Sequence, residues 1–469
     1  MWQRGPSRLY NGVMSVSKQT QRLVLLVSIF ASFISITDGF IVNVALPAIS
    51  KDLGGGLVLQ QWVVDAYMIT LGSLMLVAGS LSDLFGRRRM LQIGLGIFLV
   101  TSLLCAAAWN GPSLIVFRAL QGIGGALIVP SSLALIIAVF SGSGQGKAIG
   151  TWTAWTGIAT VIAPFLGGIL LHVTSWQAIF LVNVLPLLFT MWLLTKLDLQ
   201  EHRKPNSALD IRGAVTATFG LGSTVYALIE QAHYGWDSPI IYGTLIGGVA
   251  LLAYFVRYEQ KAKDPMMPMY LFKARNFSVG NATTLVMYAA LGVSVFLITI
   301  FVQQYGHYSA LEAGLVGLPI TIIMFLASSR FGAAAGKYGP RFFMSAGPLL
   351  CALGFFLMLR VDEQVNYWTQ ILPGYLVFGV GLSMTVAPLT AAILGCISAD
   401  RAGIGSAINN AISRIAGLLA VAVIGVIVGT GDITLQGFHR GLIFAGTLLV
   451  IGGLISAIGI QNNPKKFIP

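Results

Sequence analysis

The chain has 469 residues and only 9% of them are charged, against about 25% in an average soluble domain. Apolar residue types make up 56% of the sequence, and the mean hydropathy is +0.82. So few charges cannot cover a soluble protein of this length, which excludes a soluble enzyme, a nucleic-acid-binding domain and a disordered chain. The composition predicts an all-α polytopic membrane protein, in which the placement of the charges explains the net charge of +12.

Residues 1–22 are polar and basic, and the apolar run after them is too long for the hydrophobic region of a signal peptide. We therefore expect a cytoplasmic N-terminal tail, with Met14 as a second candidate for the first residue. The three cysteines are far apart and have no histidine nearby. This spacing predicts neither a metal site nor a disulfide framework, and we expect no bound cofactor.

Fourteen apolar segments are long enough to cross a bilayer as helices of about 20 residues each. They are 23–49, 60–80, 90–109, 113–140, 148–171, 177–195, 211–230, 239–256, 277–303, 312–329, 341–359, 368–396, 402–429 and 439–460. With the N-terminus inside, 23 of the 28 Lys and Arg residues fall on the inner side, three fall outside and two lie within spans. This asymmetry predicts that both termini are cytoplasmic.

Two long basic inner connections divide the chain into a six-helix bundle, a helix pair and a second six-helix bundle. The predicted boundaries are a tail at 1–22, a bundle at 23–197, a linker with two helices at 198–276, a bundle at 277–460 and a tail at 461–469. A weak repeat supports this division, because Gly79, Gly86 and Arg88 recur 253 residues later as Gly332, Gly339 and Arg341. Parallel repeats of this kind are common in secondary transporters.

Span one contains Asp38 at its middle, within the string D-x4-N-V-A-L-P that includes Asn43. Burial disfavours a charged carboxylate and a nearby arginine favours it, so this group could load and release a proton. The alternative is a structural salt bridge to Arg118 of span four. Asp38 can have both roles, as a proton carrier and as a partner of this salt bridge. Arg118 opens the string R-x2-Q-G with Gln121, and its own alternative is to extend to the outer interface.

Two further motifs lie in the connection that follows span two and within span five. The connection reads GSLSDLFGRRR and contains Gly79, Asp83, Gly86, Arg87 and Arg88. By charge alone it is a tight cytoplasmic turn. Span five contains Gly150, Ala159, Ala163, Pro164, Gly167 and Gly168. Its small residues recur every four positions and allow a neighbouring backbone to approach closely, while its proline favours a kink. Plain helix packing is the alternative interpretation.

Taken in order, these motifs resemble those of the major facilitator superfamily, and in particular its fourteen-helix drug:proton antiporters. The resemblance implies that Asp83 and the arginines form a cytoplasmic latch, although Leu84 replaces a usual basic residue. It implies that the Pro164-x2-Gly-Gly ending is an antiporter signature, with Ala159 and Ala163 replacing usual glycines. It also implies that Asp38 carries a proton.

Other polar and aromatic side chains are candidates for the substrate path. Asp65, at the outer end of span two, is either a second protonatable group or a hydrated interfacial acid. The cavity candidates are Asn43, Tyr67, Gln121, Trp152, Trp155, Asn409 and Arg414. The aromatic members could stack on a flat cation, although aromatic residues in membrane spans usually pack or anchor helices. Asn409 belongs to a stripe of small and polar residues at Gly405, Asn409, Ser413 and Gly417.

The hypothesis that follows is a proton-coupled exporter of amphipathic small molecules such as drugs, lipophilic cations or antibiotics. It would be a monomer in the inner or plasma membrane, with protons, a small-molecule substrate and lipid as partners and no nucleic acid. The alternatives are transport of a specific metabolite by the same fold, or a membrane sensor that transports nothing. The sequence contains no phosphate-binding G-x4-G-K-[ST] motif, so we expect no ATP-driven step.

Overall fold

The computed structural model describes residues 17–140, 142–197, 209–397, 401–429 and 431–462. The side chains of residues 83, 142, 143, 146, 161, 402 and 403 are not among those described. Within these ranges the secondary structure is helical, and no strand is present. The predicted tails fall largely outside the described residues, as does most of the connection at 198–210.

Fourteen helices account for the described chain. They are α1 (Lys18–Leu53), α2 (Gly56–Phe85), α3 (Arg87–Ala106), α4 (Gly111–Val139), α5 (Gly142–Val173), α6 (Ala178–Thr195), α7 (Ile211–Tyr234), α8 (Pro239–Glu259), α9 (Arg275–Gln304), α10 (Ala310–Tyr338), α11 (Pro340–Arg360), α12 (Tyr367–Gly395), α13 (Ala402–Val428) and α14 (Leu435–Gly459). Thirteen of them are long and apolar enough to cross a membrane. Glycines, threonines and Glu230 lower the hydropathy of α7. The predicted all-α, fourteen-helix fold is confirmed.

Helices α1–α6 pack into an N-terminal bundle and α9–α14 into a C-terminal bundle. Glycines permit close approach within each. A β-carbon on Gly122 of α4 would lie 2.3 Å from the carbonyl oxygen of Tyr67 on α2, and one on Gly381 of α12 would lie 2.5 Å from that of Gly347 on α11. These contacts bring backbones together as small-residue interfaces do in membranes.

The turns after α2 and α10 have the same backbone geometry. Gly86 and Gly339 adopt φ values of 104° and 91°, a region that favours glycine. Each turn is followed by an arginine bound to a carbonyl of its own bundle. Arg87 donates to the Ala134 oxygen at 3.0 Å and Arg341 to the Ala457 oxygen at 2.6 Å. The repeat seen in the sequence thus corresponds to two equivalent turns.

The two bundles share an extensive apolar cluster near one face of the molecule. This outer face carries the α1–α2, α3–α4 and α5–α6 connections, which the charge distribution predicts to be outside. Near it, one apolar cluster contains residues of both bundles, among them Leu46, Ala163, Phe301 and Val421. Towards the opposite face the clusters separate, one in the N-terminal bundle and one mainly in the C-terminal bundle. The space between the bundles is therefore closed by packing at the outer face.

The helix pair α7–α8 lies against α2 and α13. The indole nitrogen of Trp62 donates to Glu230 at 2.7 Å, and the hydroxyl of Thr218 donates to Ser73 at 2.9 Å. An apolar cluster that includes Ile69, Val225 and Leu418 joins the three elements. The pair thus covers the seam where α2 of one bundle meets α13 of the other.

Candidate functional site

Asp38 lies at the middle of α1 and is completely buried. Its Oδ2 atom is 2.6 Å from Nη1 of Arg118 on α4. Its Oδ1 atom accepts hydrogen bonds from Nδ2 of Asn183 on α6 at 2.7 Å and from Nε2 of Gln121 at 3.1 Å. A buried carboxylate needs such a set of partners to remain charged in a low-dielectric interior.

The guanidinium of Arg118 is held on several sides. Besides Asp38, it donates from Nε to the Val63 carbonyl oxygen at 3.0 Å and from Nη1 to Oε1 of Gln121 at 2.6 Å. The Tyr67 ring lies 4.3 Å from the guanidinium carbon, within cation–π range. The side chain is 1% exposed and extends into the bundle, which excludes its extension to the outer interface.

Sequence reasoning did not assign Asn183 and Ser102 to this site. Ser102 of α3 accepts a hydrogen bond from Nε2 of Gln121 at 3.0 Å. Asn183 lies at the interruption of α6, within the pattern W-x3-F-x2-N-x2-P, which is the signal that could have identified it. With these two residues the network connects α1, α3, α4 and α6, and Val63 and Tyr67 extend it to α2. We call these residues the carboxylate network.

Asp65 lies on α2 in a different setting. It is completely buried, and neither carboxyl oxygen has a hydrogen-bond partner among the described residues. This burial places the Asp65 carboxyl in the protein interior rather than at an exposed surface. An unpartnered carboxyl is a costly feature inside a membrane protein, so Asp65 remains a candidate for proton binding.

A cavity between the two bundles has two adjoining compartments. The first has a volume of about 260 Å³ and is lined by α1, α2, α5, α9 and α13, with Asn43, Tyr288, Asn410, Ser413 and Arg414 among its polar residues. The second, of about 350 Å³, extends between α5, α9, α10 and α12 and is mainly apolar. The two share Phe40, Thr160, Tyr288, Leu291 and Val295 in their walls. Gly39 and Phe40, next to Asp38, place the carboxylate network directly behind this cavity.

Five of the residues that the sequence analysis named as cavity candidates line neither compartment. They are Tyr67, Gln121, Trp152, Trp155 and Asn409. Tyr67 and Gln121 belong to the carboxylate network. Trp152 donates from its indole nitrogen to Ser32 of α1 at 3.0 Å, and Trp155 is exposed on α5. Asn409 donates to Asn281 and Thr284 of α9 at 3.1 and 2.7 Å.

The stripe on α13 explains the position of Asn409. Each step of four residues turns by about 40° around an α-helix, so a stripe of four such positions does not keep to one side. Gly405 and Asn409 face α9 and its neighbours, whereas Ser413 and Gly417 line the cavity. Asn410, rather than the cavity candidate Asn409, lines the cavity, while Asn409 packs against α9.

The candidate motif on α5 extends along the helix, and its part from Ala163 to Gly168 lies at the closed outer face. Ala159 and Ala163 are completely buried. A β-carbon on Gly167 would lie 2.9 Å from the side chain of Ile41 on α1, and one on Gly168 would lie 2.6 Å from the Cα atom of Leu311 on α10. Gly150 has open space around it. The proline and glycine positions thus allow α5 to contact both α1 and α10.

The candidate gating connection is described only in part. Gly86 ends α2 and Arg87 and Arg88 begin α3, while Gly79 has open space beside its Cα atom. The Asp83 side chain lies outside those that the structure describes. Arg87 donates to the Ala134 carbonyl oxygen of α4, within the N-terminal bundle.

Two helical bundles with a cavity between them and an ion pair buried behind it are features of a secondary transporter. The sequence profile of the Major Facilitator Superfamily matches residues 28–421, so the chain belongs to that superfamily. The protein is therefore a multi-pass membrane transporter and not an enzyme.

Similar proteins include two that are named for antibiotic resistance. The methylenomycin A resistance protein of Bacillus subtilis (strain 168) is 31% identical over 422 residues, covering 89% of this chain and 90% of that protein. The tetracenomycin C resistance and export protein of Streptomyces glaucescens is 30% identical over 402 residues, covering 84% and 74%. A crystal structure of the peptide transporter POT in complex with sulfate has 14% identity and a TM-score of 0.69, covering 92% of this chain and 93% of that chain, and shows the same fold.

Proposed function

We propose that the protein is a proton-coupled exporter of amphipathic small molecules that works by alternating access in the plasma membrane. The observation that carries the proposal is the position of Asp38, which is buried and ion-paired one residue from the wall of the cavity. The cavity size agrees with small-molecule sites, which typically occupy about 300–1,000 Å³. The resistance functions of the similar proteins support export.

In this proposal a proton on Asp38 removes the charge that holds Arg118 at 2.6 Å. Arg118 keeps the Val63 carbonyl, Gln121 and the Tyr67 ring as partners, while α1 loses its ionic attachment to α4. Since α1 also carries Phe40 and Asn43 in the cavity wall, a change at Asp38 reaches the substrate space directly. Asp65 serves as a second proton-binding group on α2.

The described packing corresponds to a state closed at the outer face, because the shared cluster joins the bundles there. Separation of this cluster would open the cavity to the other side, as rocking of the bundles requires. Both bundles come from one chain, so the proposed unit is a monomer. The proton gradient supplies the energy, with no bound cofactor.

The test uses purified protein in proteoliposomes with an imposed pH gradient. The proposal expects an amphipathic test compound to accumulate on the more acidic side, and to stop doing so when a protonophore collapses the gradient. Competition by several unrelated amphipathic compounds supports broad export, whereas competition by a single metabolite class supports the specific-metabolite alternative. Absence of gradient-driven movement for every compound would favour the sensor alternative.

A further inference from the structure

Arg118 and Arg414 lie away from the ends of their helices, α4 and α13, and have different surroundings. Arg118 is 1% exposed and paired with Asp38. Arg414 is half-buried on α13 and lines the first compartment of the cavity. Among the residues that the structure describes, its guanidinium has no ion-pair or hydrogen-bond partner. An unpaired guanidinium at membrane depth is costly and is stabilised by an anion or by water.

Among the side chains that the structure describes, no acidic one lines either compartment. Of the nearby carboxyls, Asp38 already accepts from Arg118, Gln121 and Asn183. Asp65 is completely buried and makes no hydrogen bond within the described chain. Arg414 therefore gives the cavity wall a positive charge that the protein itself does not neutralise there.

Most other polar side chains of the first compartment already donate to backbone carbonyls of their own helices. Their bonds are Asn43 to Gly39 and Phe40, Thr160 to Gly157, Asn410 to Ser406 and Ser413 to Asn410. The exceptions are the Arg414 guanidinium and the Tyr288 hydroxyl, which make no such bond to the described residues. The two line the same compartment. Both can donate to one anionic oxygen group.

The adjoining compartment supplies space for an apolar body. Its walls include Met287, Leu291, Ile320, Met324 and Leu382, and Tyr288 and Phe40 connect it to the charged compartment. A ligand with an acidic group at one end and a hydrophobic body at the other matches both parts of the cavity. A lipophilic cation of the same shape would bring its charge towards an unneutralised arginine, which is unfavourable in a low-dielectric site.

We infer that the substrates of this transporter are amphipathic organic anions, whose acidic group binds between Arg414 and Tyr288 while the apolar body occupies the neighbouring compartment. This inference rests on the proposed function, since it names the substrate class of the same cavity. It narrows the sequence-based hypothesis, in which lipophilic cations stood beside other drugs. Carboxylates and sulfonates share the required chemistry.

The test measures equilibrium binding to the purified protein, without any pH gradient, of four naphthalene compounds that differ in charge. They are 1-naphthoate, naphthalene-1-sulfonate, neutral 1-naphthamide and cationic 1-naphthylmethylammonium. Because charge-assisted hydrogen bonds exceed neutral ones in strength, at least one anion should bind about tenfold or more tightly than the amide, and the cation more weakly than the amide. The anion that binds more tightly identifies the preferred acid class.

Variants show whether Arg414 causes the preference. Arg414→Gln should remove it, Arg414→Lys should retain part of it, and Tyr288→Phe should weaken the anions without affecting the amide. Arg440→Gln, which removes an exposed arginine on α14 outside the cavity, is the matched control and should bind like the unmodified protein. If Arg414→Gln does not fold, Arg414→Lys and Tyr288→Phe still give the comparison.

Equal or tighter binding of the amide or the cation would overturn the inference, as would an unchanged preference in Arg414→Gln. Failure of every anion to bind up to its solubility limit would also overturn it. The outcome is separate from that of the proposed function. An anion preference without gradient-driven transport contradicts proton coupling alone, and gradient-driven transport of cations contradicts the anion site alone.

Discussion

Asp38 and Arg118 form a buried ion pair whose partners depend on each other. Each is at most 1% exposed, and the carboxylate has two further donors while the guanidinium has a carbonyl, an amide and an aromatic face. Removing one member of such a pair leaves the other charge buried without compensation, which costs about 3–5 kcal/mol. The pair should therefore behave as one unit towards mutation.

A double-mutant cycle tests this dependence. Arg118→Gln should lower the apparent Tm of the purified protein strongly, because it leaves the buried Asp38 carboxyl without its ionic partner. Adding Asp38→Asn should restore part of the loss, giving a coupling of about 1–3 kcal/mol between the sites. Arg440→Gln serves as the exposed-arginine control. Strictly additive Tm losses in the double variant would show that the two residues act independently.

At the residue scale, the sequence identifies charged residues inside membrane helices better than it identifies the residues that bind them. Asp38 and Arg118 are conspicuous because charge is rare in membrane helices, and their pairing was one of the alternatives they predicted. Asn183 and Ser102 are uncharged and common, so nothing in their own chemistry marks them as ligands of the network. The same applies to Tyr288, whose importance arises from a hydroxyl that bonds to none of the described residues and lines the same compartment as Arg414.

Helices α5 and α10 meet at the outer face through glycines. A β-carbon on Gly314 of α10 would lie 2.3 Å from the Pro164 carbonyl oxygen, and one on Gly168 would lie 2.6 Å from the Cα atom of Leu311. Both contacts are with backbone atoms, which cannot move aside as a flexible side chain could. Small residues at these positions therefore permit the closed packing between the bundles.

Gly314→Ala should destabilise the closed outer face. An overpacked contact of this kind costs about 1–3 kcal/mol, enough to shift a two-state equilibrium by about tenfold. We expect reduced transport and a longer distance between spin labels placed at the outer ends of α5 and α10. Gly150→Ala, on a glycine with open space, is the matched control. Unchanged spin-label distances and transport in Gly314→Ala would contradict this account of the contact.

At the element scale, the pattern of apolar residues predicts each helix, but it does not always predict which side of the helix faces the cavity. The spans expected at 23–49 and 402–429 correspond to α1 at Lys18–Leu53 and α13 at Ala402–Val428. On α13, however, the direction of Asn409 and Asn410 depends on where the helix packs against α9. Two adjacent asparagines are equivalent in the sequence, and only the neighbouring helix distinguishes them.

The whole molecule has two bundles, a helix pair over one seam and a predicted direction in the membrane. The excess of Lys and Arg on alternate connections predicts that the α8–α9 connection is cytoplasmic and that the α13–α14 connection is outside. Composition and periodicity were sufficient for the number of helices. The cavity and the closure of one face depend on contacts between residues far apart in the chain, which periodicity does not encode.

The orientation of the protein in the membrane can be tested by labelling introduced cysteines from outside intact cells. The native Cys105, Cys351 and Cys396 are buried and should give little background. Asp432→Cys, on the α13–α14 connection, should react with a membrane-impermeant maleimide, and Lys261→Cys, on the α8–α9 connection, should react only after the cells are opened. Both native positions are exposed, so each is accessible from its own side. The reverse labelling pattern would invert the predicted topology.

The central claim is that Asp38 couples a proton to substrate movement. The most direct measurement compares Asp38→Asn with the unmodified protein in proteoliposomes, using Asp432→Asn as the exposed-acid control. We expect Asp38→Asn still to exchange substrate between equal concentrations on the two sides but no longer to accumulate it when a pH gradient is imposed. Accumulation by Asp38→Asn at the level of the unmodified protein would contradict the claim.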